Sequence, residues 1–266
     1  MMYNKILLFI PMYNCEKQIT RVLGQLTHEV CSYLSELIIV NNRSTDNGEA
    51  AVRQYLSEHK LPIKASLLRN DENYGLGGSH KVAFDYAIKN NFDYVIVLHG
   101  DDQGDISNIL PYLKNQVYKK YDCFLGARFM RGSQLQGYSK FRTFGNNVYD
   151  ILFSIGCGCK VYDLGSGLNM YKVDILKDKF YLKYKDNLIF NYCMVMGSAY
   201  YKHKIRFFPI IWREDDQVSN VKMINQAVTV LKLLGSYILN KKKFVTSEHR
   251  DRVIEAYTAQ VVYTNE

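Results

Sequence analysis

Residues 94–105, YVIVLHGDDQGD, run from five apolar residues straight into His99, Asp101, Asp102, Gln103 and Asp105. A short apolar run without polar alternation suits a strand buried on both faces, as in a parallel sheet. Four further runs share this character: KILLFIP (5–11), ELIIV (36–40), KASLL (64–68) and CFLGA (123–127). Helical patterns over 17–31, 47–59, 78–90 and 107–119 alternate with them, the last opened by Ser107 as a candidate N-cap. This alternation predicts an α/β fold, a Rossmann-like, mostly parallel sheet flanked by helices. Open sheets of this kind bind ligands at the carboxyl ends of their strands, so the residues after each strand are the ones to weigh.

The second half is less regular. Helices are expected over 144–155, 187–200 and 219–239, with a strand at 204–211. Val221, Ile224, Val228, Leu231, Leu234 and Ile238 recur at spacings of three and four, the mark of an amphipathic helix. No linker divides the chain, so residues 1–240 are expected to form a single domain. A donor-binding half (1–127) is followed by an acceptor half (128–240), and a loosely held basic and polar tail (241–266) follows. No apolar run is long enough to span a bilayer, and the N-terminus lacks a cleavage site, so a cytoplasmic protein is expected. The six scattered cysteines read as free thiols. A net charge of +8 favours anionic partners. The basic residues are spread along the chain rather than clustered with aromatics, which argues against nucleic acid.

Polar groups follow four strands. Tyr13, Asn14 and Glu16 follow the first; Asn41, Asn42, Ser44 and Asp46 the second; NYGLGG (73–78) the third; and HGDDQ (99–103) the fourth. The glycine loop before a helix could offer backbone N–H groups to an anion, although glycines also serve plain turns. Carboxylate and amide oxygens suit Mg²⁺ or Mn²⁺. In an extended segment His99, Asp101 and Gln103 share a face and Asp102 points away. Alternatively the cluster is a polar turn that caps the next helix.

The ordered motifs PMYN, IIVNNRSTD, NYGLGG, HGDDQ, LGARF and DLGSGLNMY, over about residues 3–215, resemble family 2 glycosyltransferases of the GT-A fold. The resemblance is greatest to the dolichyl- and polyprenyl-phosphate branch. It implies a nucleotide-diphosphate sugar as donor, bound by Pro11, Tyr13, Asn14, Asn41, Asn42, Asn73, Gly75, Gly77, Lys81, Gly100, Asp101 and Asp102. A divalent metal, Mg²⁺ or Mn²⁺, would sit on His99, Asp101 and Gln103, with His99 standing where the family has an acid. Asn41 and Asn42 likewise replace the usual aspartates. Arg128, Arg142, Ser166 and Gly167 match the phosphate and acceptor side, and Asp101, Arg128, Asp163 and Asp215 are the catalytic candidates.

The implied activity is metal-dependent, inverting transfer of a sugar to polyprenyl phosphate or to a cell-surface glycan. Helix 219–239 and Lys241 to Lys243 read first as a helix packed on the core with a basic C-terminal cap, and alternatively as a peripheral membrane contact. The replacements at His99, Asn41 and Asn42 keep open a second reading, a binding module of the same fold without catalysis. A sugar nucleotidyltransferase would want a glycine-rich loop after the first strand, and PMYNCE offers none.

Overall fold

The computed structural model describes residues 4–214 and 223–265. The runs read as strands form β1 (Ile6–Met12), β2 (Glu36–Asn41), β3 (Lys64–Asn70), β4 (Tyr94–Leu98) and β5 (Cys123–Ala127). Farther on lie β6 (Gln134–Gln136), β7 (Leu168–Lys172), β8 (Ile205–Pro209), β9 (Ile211–Arg213) and β10 (Ala259–Thr264). Eight of these make one sheet in the order β10-β3-β2-β1-β4-β7-β5-β8, while β6 and β9 pair separately. β1 lies parallel to both β2 and β4, and β2 to β3.

Both sheet faces are covered, which is why these strands read as continuous apolar runs. Along β1, Leu7 and Phe9 enter one core while Ile6, Leu8 and Ile10 enter the other. The second core is closed by α1 (Glu16–Gly24), α2 (His28–Cys31), α3 (Gly48–Glu58) and α5 (Leu110–Lys114). The first is closed by α4 (Gly75–Lys89), α6 (Lys140–Cys157), α7 (Phe190–Tyr200), α8 (Met223–Leu239) and α9 (Lys241–Thr246).

The helix expected over 17–31 is interrupted after Gly24, and Thr27 caps α2 by accepting the Val30 N–H at 3.3 Å. The one expected over 107–119 shortens to α5 between two 3₁₀ turns, with Gln116 at φ +54° ending regular structure. It is Asp105, not Ser107, that caps its entry, accepting the Ser107 N–H at 2.8 Å. The long amphipathic helix is present from Met223; residues 219–222 lie outside the described residues.

Two departures shape the molecule. The segment after residue 240 is not a loose tail: α9 buries Phe244 and Val245, and β10 pairs antiparallel with β3, Gln260 opposite Arg69. The second is β7, which slots antiparallel between β4 and β5, Leu98 opposite Leu168 and Leu125 opposite Asn169. Because β7 runs the other way, the loop entering it (163–167) lies at the edge where β4 and β5 end.

Candidate active site

That reversal builds the site. Gly167 precedes β7 and its carbonyl accepts the His99 N–H at 2.9 Å, just past the end of β4. A Cβ on Gly167 would come within 2.9 Å of the His99 ring, so only glycine lets the loop lie flat on the imidazole. Earlier in the same loop, Asp163 and Gly165 meet Arg128, which follows β5. The Asp163 carboxylate accepts from Arg128 Nε at 2.7 Å, from Nη2 at 2.8 Å and from the backbone N–H at 2.8 Å. This buried fork is planar and bidentate, the geometry for which arginine is suited. The guanidinium also lies 5.0 Å from the ring of Trp212, the one tryptophan of the chain, and 4.9 Å from Phe129.

A cavity of about 460 Å³ opens over these groups. His99, Asp101, Gln103, Arg128 and Arg142 all line it, together with Tyr138, Asn191 and Trp212. Burial pushes the Asp101 carboxyl up to about 6, aided by the neighbouring Asp102 charge and opposed by the Gln103 N–H at 3.2 Å and by Arg128. Burial holds the His99 imidazole down to about 4, with Arg128 adding to the effect, so the ring is neutral at physiological pH. Its Nε2 is buried without a hydrogen-bond partner. Arg142 is held by Glu214 at 2.6 and 2.7 Å and lies 4.6 Å from the Tyr138 ring. Glu214 is thus an ion-pair partner of the site arginine rather than a solvated loop residue.

Asp102 turns away, but not by strand alternation: β4 ends at Leu98, and Asp102 sits in a positive-φ turn where an extended segment was expected. It accepts from Arg21 at 2.7 Å, Gln25 at 3.0 Å and Arg213 at 3.1 Å, which ties the β4 loop to α1 and β9. The carboxylate therefore braces the loop that carries Asp101. Lys81 departs further from expectation. Its ammonium is fully buried and donates to the Tyr184 carbonyl at 2.6 Å, to Asp186 at 2.7 Å and to the Tyr257 hydroxyl at 3.2 Å. No donor capacity remains for a phosphate.

The glycine loop is closed as well. The N–H groups of Gly77 and Gly78 point at the Asp186 carbonyl, at 2.7 and 3.4 Å, so this helix N-terminus is capped by protein. A Cβ on Gly77 would meet the Lys185 carbonyl at 2.5 Å. Gly75 and Gly77 therefore permit close packing of α4 on the 185–187 loop, the plain-turn reading rather than an anion cradle.

At the ends of β1 and β2 a second polar cluster forms. The Asn14 side chain accepts the Thr45 N–H at 2.8 Å, and Asn41 bridges Glu49 at 2.9 Å and the Ser44 N–H at 2.8 Å. Asn42 accepts from Asn70 at 3.0 Å and from the Tyr74 N–H at 2.8 Å, and donates to Asn73 at 2.8 Å. Pro11 ends the same strand edge, its carbonyl accepting the Gly100 N–H at 3.1 Å, while Tyr13 is half exposed. Ser166 is buried and bonded to the backbone of Leu168. Asp215 lies outside the described residues. The six cysteines are free, as expected.

Sequence reasoning passed over Tyr138, Asn191, Trp212 and Asp150. Trp212 was legible in principle as a lone tryptophan in a polar stretch. Asp150 was not: it sits within an amphipathic helix pattern, yet its side chain is buried, its Oδ2 has no partner, and burial with the nearby Asp163 charge pushes it up to about 8 against the pull of Arg128.

A mixed sheet with a reversed strand beside its central crevice, carrying an acid–amide cluster and a buried arginine fork, defines a GT-A type glycosyltransferase fold. Residues 8–180 match the model of glycosyl transferase family 2, and the chain belongs to that family. An uncharacterized protein of Methanocaldococcus jannaschii is 24% identical over 174 residues, 65% of this chain and 67% of that one. Dodecaprenyl-phosphate galacturonate synthase of Rhizobium johnstonii is 23% identical over 172 residues, 64% of this chain but only 48% of that protein. Among solved structures, glucosyl-3-phosphoglycerate synthase from Mycobacterium tuberculosis, in complex with Mn²⁺, UDP-glucose and phosphoglyceric acid, superposes with a TM-score of 0.61. It is 13% identical and covers 88% of this chain and 80% of its own, a likeness of fold.

Proposed function

We propose that this chain is an inverting glycosyltransferase that moves a sugar from a nucleoside-diphosphate sugar to polyprenyl phosphate, assisted by a divalent metal. The observation that carries this reading is the convergence of Asp101 and Arg128 on one cavity at the ends of β4 and β5. Asn14, Asn41 and Asn42 in the polar cluster at the ends of β1 and β2 suit a nucleoside, since amides both donate and accept.

The residues fit a metal of one particular kind. Among the described residues no group of three acids, histidines or cysteines could cage an ion. Mg²⁺ and Mn²⁺ commonly use one or two carboxylates and take the rest of their shell from substrate phosphates. Asp101 would hold it, with Gln103 and the orphaned His99 Nε2 as the neighbouring donors. Such an ion offsets charge gathering on the departing diphosphate. The chain's own contribution is Arg128, whose charge is fixed by the Asp163 fork and whose Nη1 donors lie outside that pair. A fixed donor of this kind needs no reorganisation as charge develops.

The carboxylates support one acceptor over the other. Asp163 is committed to Arg128 and Glu214 to Arg142, so Asp101 is the one acid lining the cavity among the described residues. A sugar hydroxyl would call for a further base. A phosphate monoester is already ionised near neutral pH. This favours the lipid phosphate over a glycan hydroxyl, and the likeness to dodecaprenyl-phosphate galacturonate synthase of Rhizobium johnstonii supports it. Asp215 would be the base in the glycan reading. Among the described residues no helix is long and apolar enough to cross a membrane. A lipid-phosphate acceptor lies in a bilayer, so the reading has the enzyme acting at the cytoplasmic face of the membrane.

The test is transfer of radiolabelled sugar from a panel of UDP- and GDP-sugars to polyprenyl phosphate, with and without Mn²⁺. Asp101→Asn should abolish transfer while Asp215→Ala retains it. Binding of nucleotide without any turnover would instead favour the non-catalytic reading, and loss of activity in Asp215→Ala would favour the glycan acceptor.

A further inference from the structure

Helix α6 presents an apolar stripe to solvent: Phe141 is 77% exposed, Phe144 68% and Ile155 73%, with Val148 and Ile151 between them. These positions recur at spacings of three and four, so they occupy one helix face. The opposite face is buried through Asp150, Phe153 and Cys157. Beside it α8 exposes Val228, Leu231, Ile238 and, at 88%, Leu239. The two helices touch, Gly156 of α6 lying where a Cβ would meet Leu234 and Ile238 of α8. The result is one contiguous apolar surface, of the kind that marks an interaction site.

Its charge pattern selects the partner. Over residues 140–160 and 223–246 the one acid is the buried Asp150. Against it stand Lys140, Lys160, Lys232, Lys242 and Lys243, all exposed, and Lys241. Lys241 lies 5.1 Å from the Tyr237 ring, at the same end of α8 as Ile238 and Leu239. Apolar side chains flanked by lysines, with no exposed acid on α6, α8 or α9, match an anionic lipid interface, where the side chains enter the acyl boundary and the lysines meet headgroups. A second copy of this chain would bring the same lysines face to face. The surface also runs into the mouth of the site, because Phe141, Leu188, Ala227 and Val230 line the 460 Å³ cavity.

We infer that the joint α6–α8 face is a membrane-docking surface for anionic bilayers that sets the active-site cavity against the lipid headgroups. The inference rests on this surface alone; it deepens the lipid-acceptor reading but needs no donor or acceptor for its test. Flotation of the full chain with phosphatidylcholine vesicles, with and without phosphatidylglycerol, reads it directly. Binding is expected to the anionic vesicles and to weaken with salt. Phe144→Ser and Ile155→Ser should each weaken it about ten-fold or more. Changing Lys241, Lys242 and Lys243 together to Gln should weaken it by about two orders of magnitude, since each cation near such a surface contributes roughly five-fold. Val261→Ser, on exposed edge strand β10, should leave binding unchanged. The serine variants remove exposed side chains, and unchanged thermal unfolding shows that they fold. Absence of flotation, or wild-type binding by both serine variants, overturns the inference. So does a wild-type dimer that either serine variant dissociates, for a second copy would then cover this face. Because no sugar transfer is measured, failure here leaves the transferase reading standing.

Discussion

Arg128 is both buried and charged, and its two roles can be separated. Asp163→Ala leaves the guanidinium in a protein interior with its Nε, Nη2 and backbone donors unanswered. Breaking a buried pair from one side costs about 3–5 kcal/mol. For a chain of this size a kcal/mol shifts the melting temperature by roughly 2 °C, so a loss of roughly 6–10 °C is expected. Arg128→Met alone strands the Asp163 carboxylate and should cost a similar amount. The double variant Arg128→Met/Asp163→Leu removes both charges and fills the space, so most of the stability should return. Activity should not return with it. Removing one fixed donor from developing negative charge typically costs about 10²–10³ in kcat. Calorimetry and single-turnover transfer on wild type and the three variants separate the two roles. If the double variant transferred sugar like wild type, Arg128 would be a scaffold residue and the assignment of the phosphate site would fail. If Asp163→Ala melted like wild type, the fork would contribute nothing to stability.

Further predictions follow from burial. Asp150 has a folded-state pKa raised to about 8 by burial, so its stabilising contribution is complete below the unfolded value near 4 and is lost as pH rises through 8. Asp150→Asn should thus gain stability over wild type from pH 5 to pH 8, by up to a few kcal/mol (~2–4), in melting curves across that range; a constant difference would refute the burial cause. Lys81→Met breaks the pair with partly exposed Asp186 and should cost about 3 kcal/mol by denaturant titration. It should leave nucleotide-sugar affinity unchanged by calorimetry, and a selective loss of affinity would return Lys81 to the donor site. Gly77→Ala forces a Cβ against the Lys185 carbonyl and Phe190, an overpacking cost of about 1–3 kcal/mol in the same titration.

The strands that cross the core were legible because burial on both faces leaves apolar runs, and YVIVL is one. β7 was not, because LNMYK carries Asn169 and Lys172 and sits after a glycine-rich loop. β10 hid for another reason: an edge strand with one exposed face looks like polar tail. The site divided in the same way. Asp101 and Arg128 could be placed because each follows a recognisable strand. Lys81 and the NYGLGG glycines were misplaced because their partners, Asp186 and Tyr257, lie about a hundred residues and more along the chain. No local pattern in a sequence records such a contact.

The histidine at the end of β4 then makes electrostatic sense. Among the described residues His99 is neutral, Arg128 is matched by Asp163 and Arg142 by Glu214, and Asp101 is the carboxylate that lines the cavity. Burial already strains that charge, pushing its carboxyl up to about 6. An aspartate at position 99 would place a second carboxylate beside it, and like charges at close range drive one of the pair toward protonation. It would also lose the flat ring on which Gly167 rests. The imidazole offers a lone pair without a charge, and the glycine at 167 fits it. The histidine and the loop entering β7 are therefore one structural solution, formed where a reversed strand meets the end of a parallel one.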